Sequence, residues 1–141
     1  MKALFCNLLI LMIIGSSACG LKNKSDSPGA LSDTVEVKTT LRFVATEHDF
    51  GQVREGEKVV CSYEVVNTGK YDLFIHEVKV SCGCTSPKYD KRPIRPGGKS
   101  TIEVTFDTNG RPGNQRRSVV VVTNTDPSNA NLYFSCQVIP K

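Results

Sequence analysis

Thr101-Ile102-Glu103-Val104-Thr105-Phe106 alternates polar and apolar residues without a break. A two-residue period puts Ile102, Val104 and Phe106 on one side of an extended chain and Thr101, Glu103 and Thr105 on the other, as a strand with one buried face requires. Leu132 to Ile139 repeats the pattern, with Leu132, Phe134, Cys136 and Val138 sharing a face, and Val59 to Val66 sets Cys61, Tyr63 and Val65 together. Ser118 to Thr123 is a valine run, expected of a strand central in its sheet or covered on both faces. Leu73 and Ile75 keep one parity while Val78 and Val80 keep the other, which predicts a β-bulge near His76-Glu77. Phe50-Gly51-Gln52-Val53 reads as a short strand, with Gly56 in the turn after it. Asn67-Thr68-Gly69 and Pro93 to Gly98 read as turns.

No helical period follows residue 40. Roughly six or seven short strands in about 100 residues predict an all-β, immunoglobulin-like sandwich. The chain has no tryptophan, so the core is expected to close with Val, Leu, Ile and Phe.

The first forty residues are of another kind. Lys2 precedes an apolar run from Leu8 to Ile14, and Gly15, Ser16, Ser17 and Ala18 lead to Cys19. A basic start, a short apolar stretch and small residues mark a secretory signal, and the run is too short to span a bilayer. Cysteine after Ser-Ser-Ala resembles the bacterial lipobox, with Ser16 where such signals usually carry Leu. Residues 1–18 are therefore expected to be a lipoprotein signal peptide, with Cys19 lipidated as the new N-terminus. Residues 19–40 are polar and are expected to form a flexible tether reaching about 25 Å. Residues 41–141 are expected to form the sandwich domain. This organisation implies the cell envelope: a lipid anchor at Cys19, the outer membrane facing the periplasm, and a protein of the envelope as partner.

The net charge of +4, from 18 basic and 14 acidic residues, is too mild to point to nucleic acid. Lys88, Lys91, Arg92, Arg95 and Lys99 form one basic group and Arg111, Arg116 and Arg117 another, both expected to be solvated faces. No nucleophile elbow, phosphate-binding glycine loop or zinc-protease motif occurs, so no catalytic residue and no enzyme activity is assigned.

Any chemistry left runs through Cys82-Gly83-Cys84. The leading reading is structural, a turn or a disulfide partner, with Gly83 permitting the turn. The alternatives are metal ligation, with copper or zinc as cofactor on two thiolates and His48, and thiol redox activity. A disulfide closed across a single residue makes a tight ring. His48 alone is expected to be a surface histidine bonded to a turn. Cys61 and Cys136 share the core-facing parity. They are candidates for a disulfide between the sheets, or for free buried thiols packed as small hydrophobes.

Several segments resemble one family: His48-Asp49-Phe50-Gly51, Asn67-Thr68-Gly69, Leu73-Phe74-Ile75, Ser81-Cys82-Gly83-Cys84-Thr85, Pro96-Gly97-Gly98 and Val122-Thr123-Asn124. Their order and spacing are similar to the bacterial domain of unknown function 1573, over roughly residues 42–139. The resemblance implies a sandwich like the immunoglobulin-like domains of the major sperm protein and cilia-associated type, and an extracytoplasmic setting often in lipoproteins. It implies no activity.

Overall fold

The structure, a computed structural model, describes residues 37–141. The signal peptide, Cys19 and most of the expected tether lie outside the described residues. Eight strands are formed among those described: β1 Leu41–Phe43, β2 Glu47–Arg54, β3 Lys58–Asn67, β4 Ile75–Val80, β5 Thr85–Tyr89, β6 Lys99–Asp107, β7 Gly113–Thr123 and β8 Asn129–Ile139. They build two four-stranded sheets, ordered β1-β3-β6-β5 and β2-β8-β7-β4. Every pairing is antiparallel except β2 with β8. The apolar faces of the two sheets close on each other, and the expected immunoglobulin-like sandwich is the fold.

The alternation in the sequence is the burial in the structure. Ile102, Val104 and Phe106 are fully buried on β6, opposite Tyr63, Cys61 and Val59 of β3. Leu132, Phe134, Cys136 and Val138 of β8 face them from the other sheet, where the Phe134 and Phe106 rings lie 5.2 Å apart. In β7, Val119 and Val121 are fully buried while Val120 and Val122 are half-buried, so the valine run marks a central strand with one core face. The predicted bulge is present, as a register shift between Ile75 and Glu77 against β7.

Three features depart from expectation. β5 was not foreseen: Pro87 and Lys88 hide it, yet both suit an edge strand, where a missing N–H is tolerated and charge deters further pairing. The core does not close with Val, Leu, Ile and Phe alone. Tyr63, 1% exposed, sits in the core and donates its hydroxyl across the sandwich to the Tyr133 carbonyl of β8 at 2.7 Å. Third, β7 and β8 start earlier than their apolar runs: polar Asn114 to Arg117 pair with Gln137 to Phe134 at the start of β7, and Asn129 to Asn131 pair with Val122 to Val120 at the start of β8.

Order also begins before Leu41. The Thr39 amide donates to the Asn124 carbonyl at 3.0 Å, and Thr39 forms a parallel bridge with Thr125. Two buried asparagines hold this end. Asn67 Nδ2 donates to the carbonyls of Tyr71 and Ile94, each at 2.7 Å, while its Oδ1 accepts from the Thr39 hydroxyl at 3.1 Å and the Gly69 amide at 3.0 Å. Asn124 Nδ2 donates to the carbonyls of Val37 and Asp72, both at 2.9 Å, and its Oδ1 accepts from the Phe74 amide at 2.8 Å. Gly69 packs beneath the same strap. A Cβ there would collide with Thr39 Oγ1 and come within 2.6 Å of the Thr40 amide nitrogen. Gly69→Ala is expected to cost about 2 kcal/mol by pushing out residues 37–40. Urea unfolding, together with faster proteolysis near Thr39, checks it.

Candidate functional site: the Cys82–Cys84 turn

The Cys82-Gly83-Cys84 segment carries the chain from the end of β4 in one sheet to β5 in the other. The Thr85 amide donates to the Cys82 carbonyl at 3.2 Å and closes a tight turn, and the Asp107 amide donates to the Cys84 carbonyl at 2.9 Å and ties the turn to the end of β6. The two cysteines are joined as a disulfide, with Cα atoms 5.2 Å apart. Gly83 does not take a positive φ, and a Cβ on it would meet open space. The turn thus does not use the conformational freedom that Gly83 permits.

The two sulfurs differ in surroundings. Cys84 is 8% exposed and belongs to the core, whereas Cys82 is half-buried at its margin. The buried Thr85 hydroxyl lies 3.4 Å from Cys82 Sγ and 3.9 Å from Cys84 Sγ. Disulfide sulfurs carry no proton, so the hydroxyl is the donor. Cys82 also lines an open cavity of about 520 Å³ with Ser81, Arg116, Arg117, Ser118 and Tyr133.

The first half of β7 positions the two arginines, one on each face of its sheet. Arg116 stacks over the Tyr133 ring at 5.1 Å and pairs with Glu47 at 3.1 Å. Arg117 continues the core-facing row of Val119 and Val121, and its guanidinium lies over the Phe106 ring at 5.8 Å. Its Nη1 donates to the Arg116 carbonyl and its Nη2 to the Gln115 side chain, while its Nε is buried without a hydrogen-bond partner. These arginines looked like a solvated cluster in the sequence. Their place beside Cys82 follows from the β4–β7 and β7–β8 registers, which no local pattern announces.

The other candidate residues are not brought to this turn. His48 is exposed on β2, with its ring edge-on to Phe50 at 4.5 Å, and β8 and β7 separate its strand from β4. The copper or zinc set of His48, Cys82 and Cys84 is thus not assembled, and both sulfurs are engaged with each other. No group of three or more His, Cys, Asp or Glu stands ready to hold a metal among the described residues.

The candidate bond between Cys61 and Cys136 is not made, and both remain free buried thiols. They sit on opposite sheets with different neighbours. Cys61 faces the Tyr63 hydroxyl, and Cys136 faces Arg117 and Asp49. Burial pushes the Cys61 thiol up from its ordinary pKa, against a lowering hydrogen bond from Tyr63. Burial likewise raises Cys136, against the Arg117 charge. Both are the inert kind of cysteine. Two of the five residues of the first basic group are ion-paired: Arg92 with Asp90, and Lys99 with Glu64 at 2.9 Å.

Two four-stranded sheets packed face to face define an immunoglobulin-like sandwich. The chain belongs to the family described as a protein of unknown function, DUF1573, which matches residues 41–138. A protein of unknown function from Porphyromonas gingivalis W83 is similar in structure, with a TM-score of 0.62 at 17% identity over 77% of this chain and 51% of that one. This chain therefore spans about half the length of that protein. The human CEP192 ASH/PapD-like domain has a TM-score of 0.62 at 15% identity, covering 74% of this chain and 88% of that one. The YadV chaperone follows at 0.53 and 8% identity, covering 70% and 51%. At these identities the likeness concerns the fold. No curated protein matches the chain.

Proposed function

We propose that the chain is a non-enzymatic lipoprotein of the bacterial cell envelope, held to the membrane by lipid on Cys19, whose sandwich engages another envelope protein. The observation that carries this reading is the order of Leu8 to Ile14, the small residues Gly15 to Ala18, and Cys19 ahead of a polar stretch and one domain. The Cys82–Cys84 disulfide suits an oxidising compartment. Sheet edges and loops are the surfaces such a sandwich offers to a partner, and one of its structural neighbours is a chaperone. The proposed location is the outer membrane, on its periplasmic face because no acidic run that would carry the chain beyond it follows Cys19.

Cys19→Ser tests the anchor. The parent chain is expected to incorporate a fatty-acid label and to sediment with membranes. The variant is expected to lose the label entirely and to move to the soluble fraction or stay unprocessed. A Cys19→Ser chain that still takes up label would overturn the reading. Crosslinking from the lipid-anchored parent, followed by mass spectrometry, then identifies the partner.

A further inference from the structure

We infer that the Cys82–Cys84 disulfide is a thiol–disulfide exchange site that accepts electrons from a dithiol on a partner protein. Four features of the turn converge on this chemistry. The accessible sulfur is that of Cys82, and the shielded one that of Cys84. A buried hydroxyl, Thr85 Oγ1, stands within reach of both and closer to Cys82. Arg116 and Arg117 are among the residues that line the cavity onto which Cys82 opens, with the Arg116 guanidinium paired to Glu47. One of their nitrogens, Arg117 Nε, is buried with its hydrogen-bonding capacity unused. A disulfide that only staples two strands needs none of these. A hydroxyl donor and positive charge beside one sulfur are what lower a thiol's pKa and stabilise its anion.

A partner thiolate attacks Cys82 Sγ. The bond from the partner sulfur to Cys82 forms as the Cys82–Cys84 bond breaks, and the electron pair leaves on Cys84 Sγ, which takes a proton from solvent. The partner's second thiol, its proton released to solvent, then attacks the partner sulfur of the mixed disulfide. Cys82 departs as a thiolate, held by the Thr85 hydroxyl, with Arg117 lining the same cavity. The partner dithiol has become a disulfide, losing two electrons, and Cys82 and Cys84 have gained them. A leaving thiol of low pKa leaves faster, so the polar surroundings of Cys82 favour release of the oxidised partner. Cys61 and Cys136 stay out of the exchange because they are buried and burial holds them protonated.

The test uses the full chain carrying Cys6→Ser and Cys19→Ser, so that only the four domain cysteines report. Dithiothreitol is the dithiol probe, and timed alkylation read by mass is the measurement. The folded disulfide is expected to be reduced about 10-fold faster than that of an oxidised Ser-Cys-Gly-Cys-Thr peptide. Once reduced, Cys82 is expected to alkylate with a pH midpoint at least one unit below the free-thiol value of about 8.5. Thr85→Val and Arg117→Gln are each expected to raise that midpoint by about one unit, and Arg117→Lys to restore it. In Cys84→Ser, oxidised glutathione should trap a mixed disulfide on Cys82 alone. A parent midpoint at or above 8.5, or folded and peptide disulfides reduced at the same rate, would make the bond a structural staple and overturn the inference. The parent midpoint decides the matter even if Thr85→Val and Arg117→Gln fail to fold.

Discussion

An Asn67→Ala chain is expected to unfold with about 4 kcal/mol less free energy than the parent, out of a total of about 5–10 kcal/mol for a domain of this size. Asn67 is fully buried, and its amide makes four hydrogen bonds that join three segments: the strap at Thr39, its own turn at Gly69 and Tyr71, and the loop at Ile94. Alanine would leave the carbonyls of Tyr71 and Ile94, the Gly69 amide and the Thr39 hydroxyl without it. A buried group stripped of its partner costs about 1–3 kcal/mol, and relaxation toward solvent recovers only part. Asn67→Asp separates the two halves of the amide's work. It keeps the acceptor for Thr39 and Gly69 but turns oxygen toward the two carbonyls that Nδ2 serves. It is expected to be at least as damaging as alanine at neutral pH and to improve on acidification, when a protonated carboxyl regains one donor. Urea unfolding followed by far-ultraviolet circular dichroism measures both. An aspartate variant near parental stability would show that the Tyr71 and Ile94 carbonyls do not depend on the donor.

The sequence conceals this role of Asn67. Asn67-Thr68-Gly69 reads as a turn, and it does close one, through the Gly69 amide and Asn67 Oδ1. Its heavier duty is to Thr39 and Ile94, 28 and 27 residues away, and no local signal marks partners at that distance. The legible parts of the fold were those with a period: β3, β6 and β8 each declare an inward face, and all three faces are buried. β5 and the start of β7 stayed hidden because an edge strand and a strand end carry polar residues, and there the ladder, not burial, makes the strand. The candidate site divides the same way. Two cysteines one residue apart stand out in any reading, whereas Thr85 and Arg117 become part of the site only when the β4–β5 crossing meets β7.

Alkaline pH is expected to unfold the domain through three groups that the fold holds protonated. Cys61, Cys136 and Tyr63 all have pKa values raised chiefly by burial, and for Tyr63 the neighbouring Cys61 adds to the rise. In the unfolded chain the thiols ionise near 8.5 and the phenol near 10. Above those values the unfolded state has released protons that the native state keeps, so stability falls as pH rises. The stability is fully present below about pH 8.5. It then declines by about 1.4 kcal/mol per pH unit for each group still protonated in the fold, more steeply beyond pH 10 as Tyr63 joins the thiols. Cys61→Ala with Cys136→Ala should remove the early part of the decline, and it also leaves no free thiol in the domain to reshuffle with Cys82–Cys84. Tyr63→Phe gives the sharper test. At pH 7 it loses the bond to the Tyr133 carbonyl and is expected to be about 1.5 kcal/mol less stable than the parent. By pH 11 the parent alone bears the cost of keeping a buried phenol protonated, about 1.4 kcal/mol, and the two chains should unfold at nearly the same urea concentration. A Tyr63→Phe deficit unchanged from pH 7 to pH 11 would mean that the phenol ionises as readily inside the sandwich as outside it, and that the cross-sheet bond does not depend on its proton.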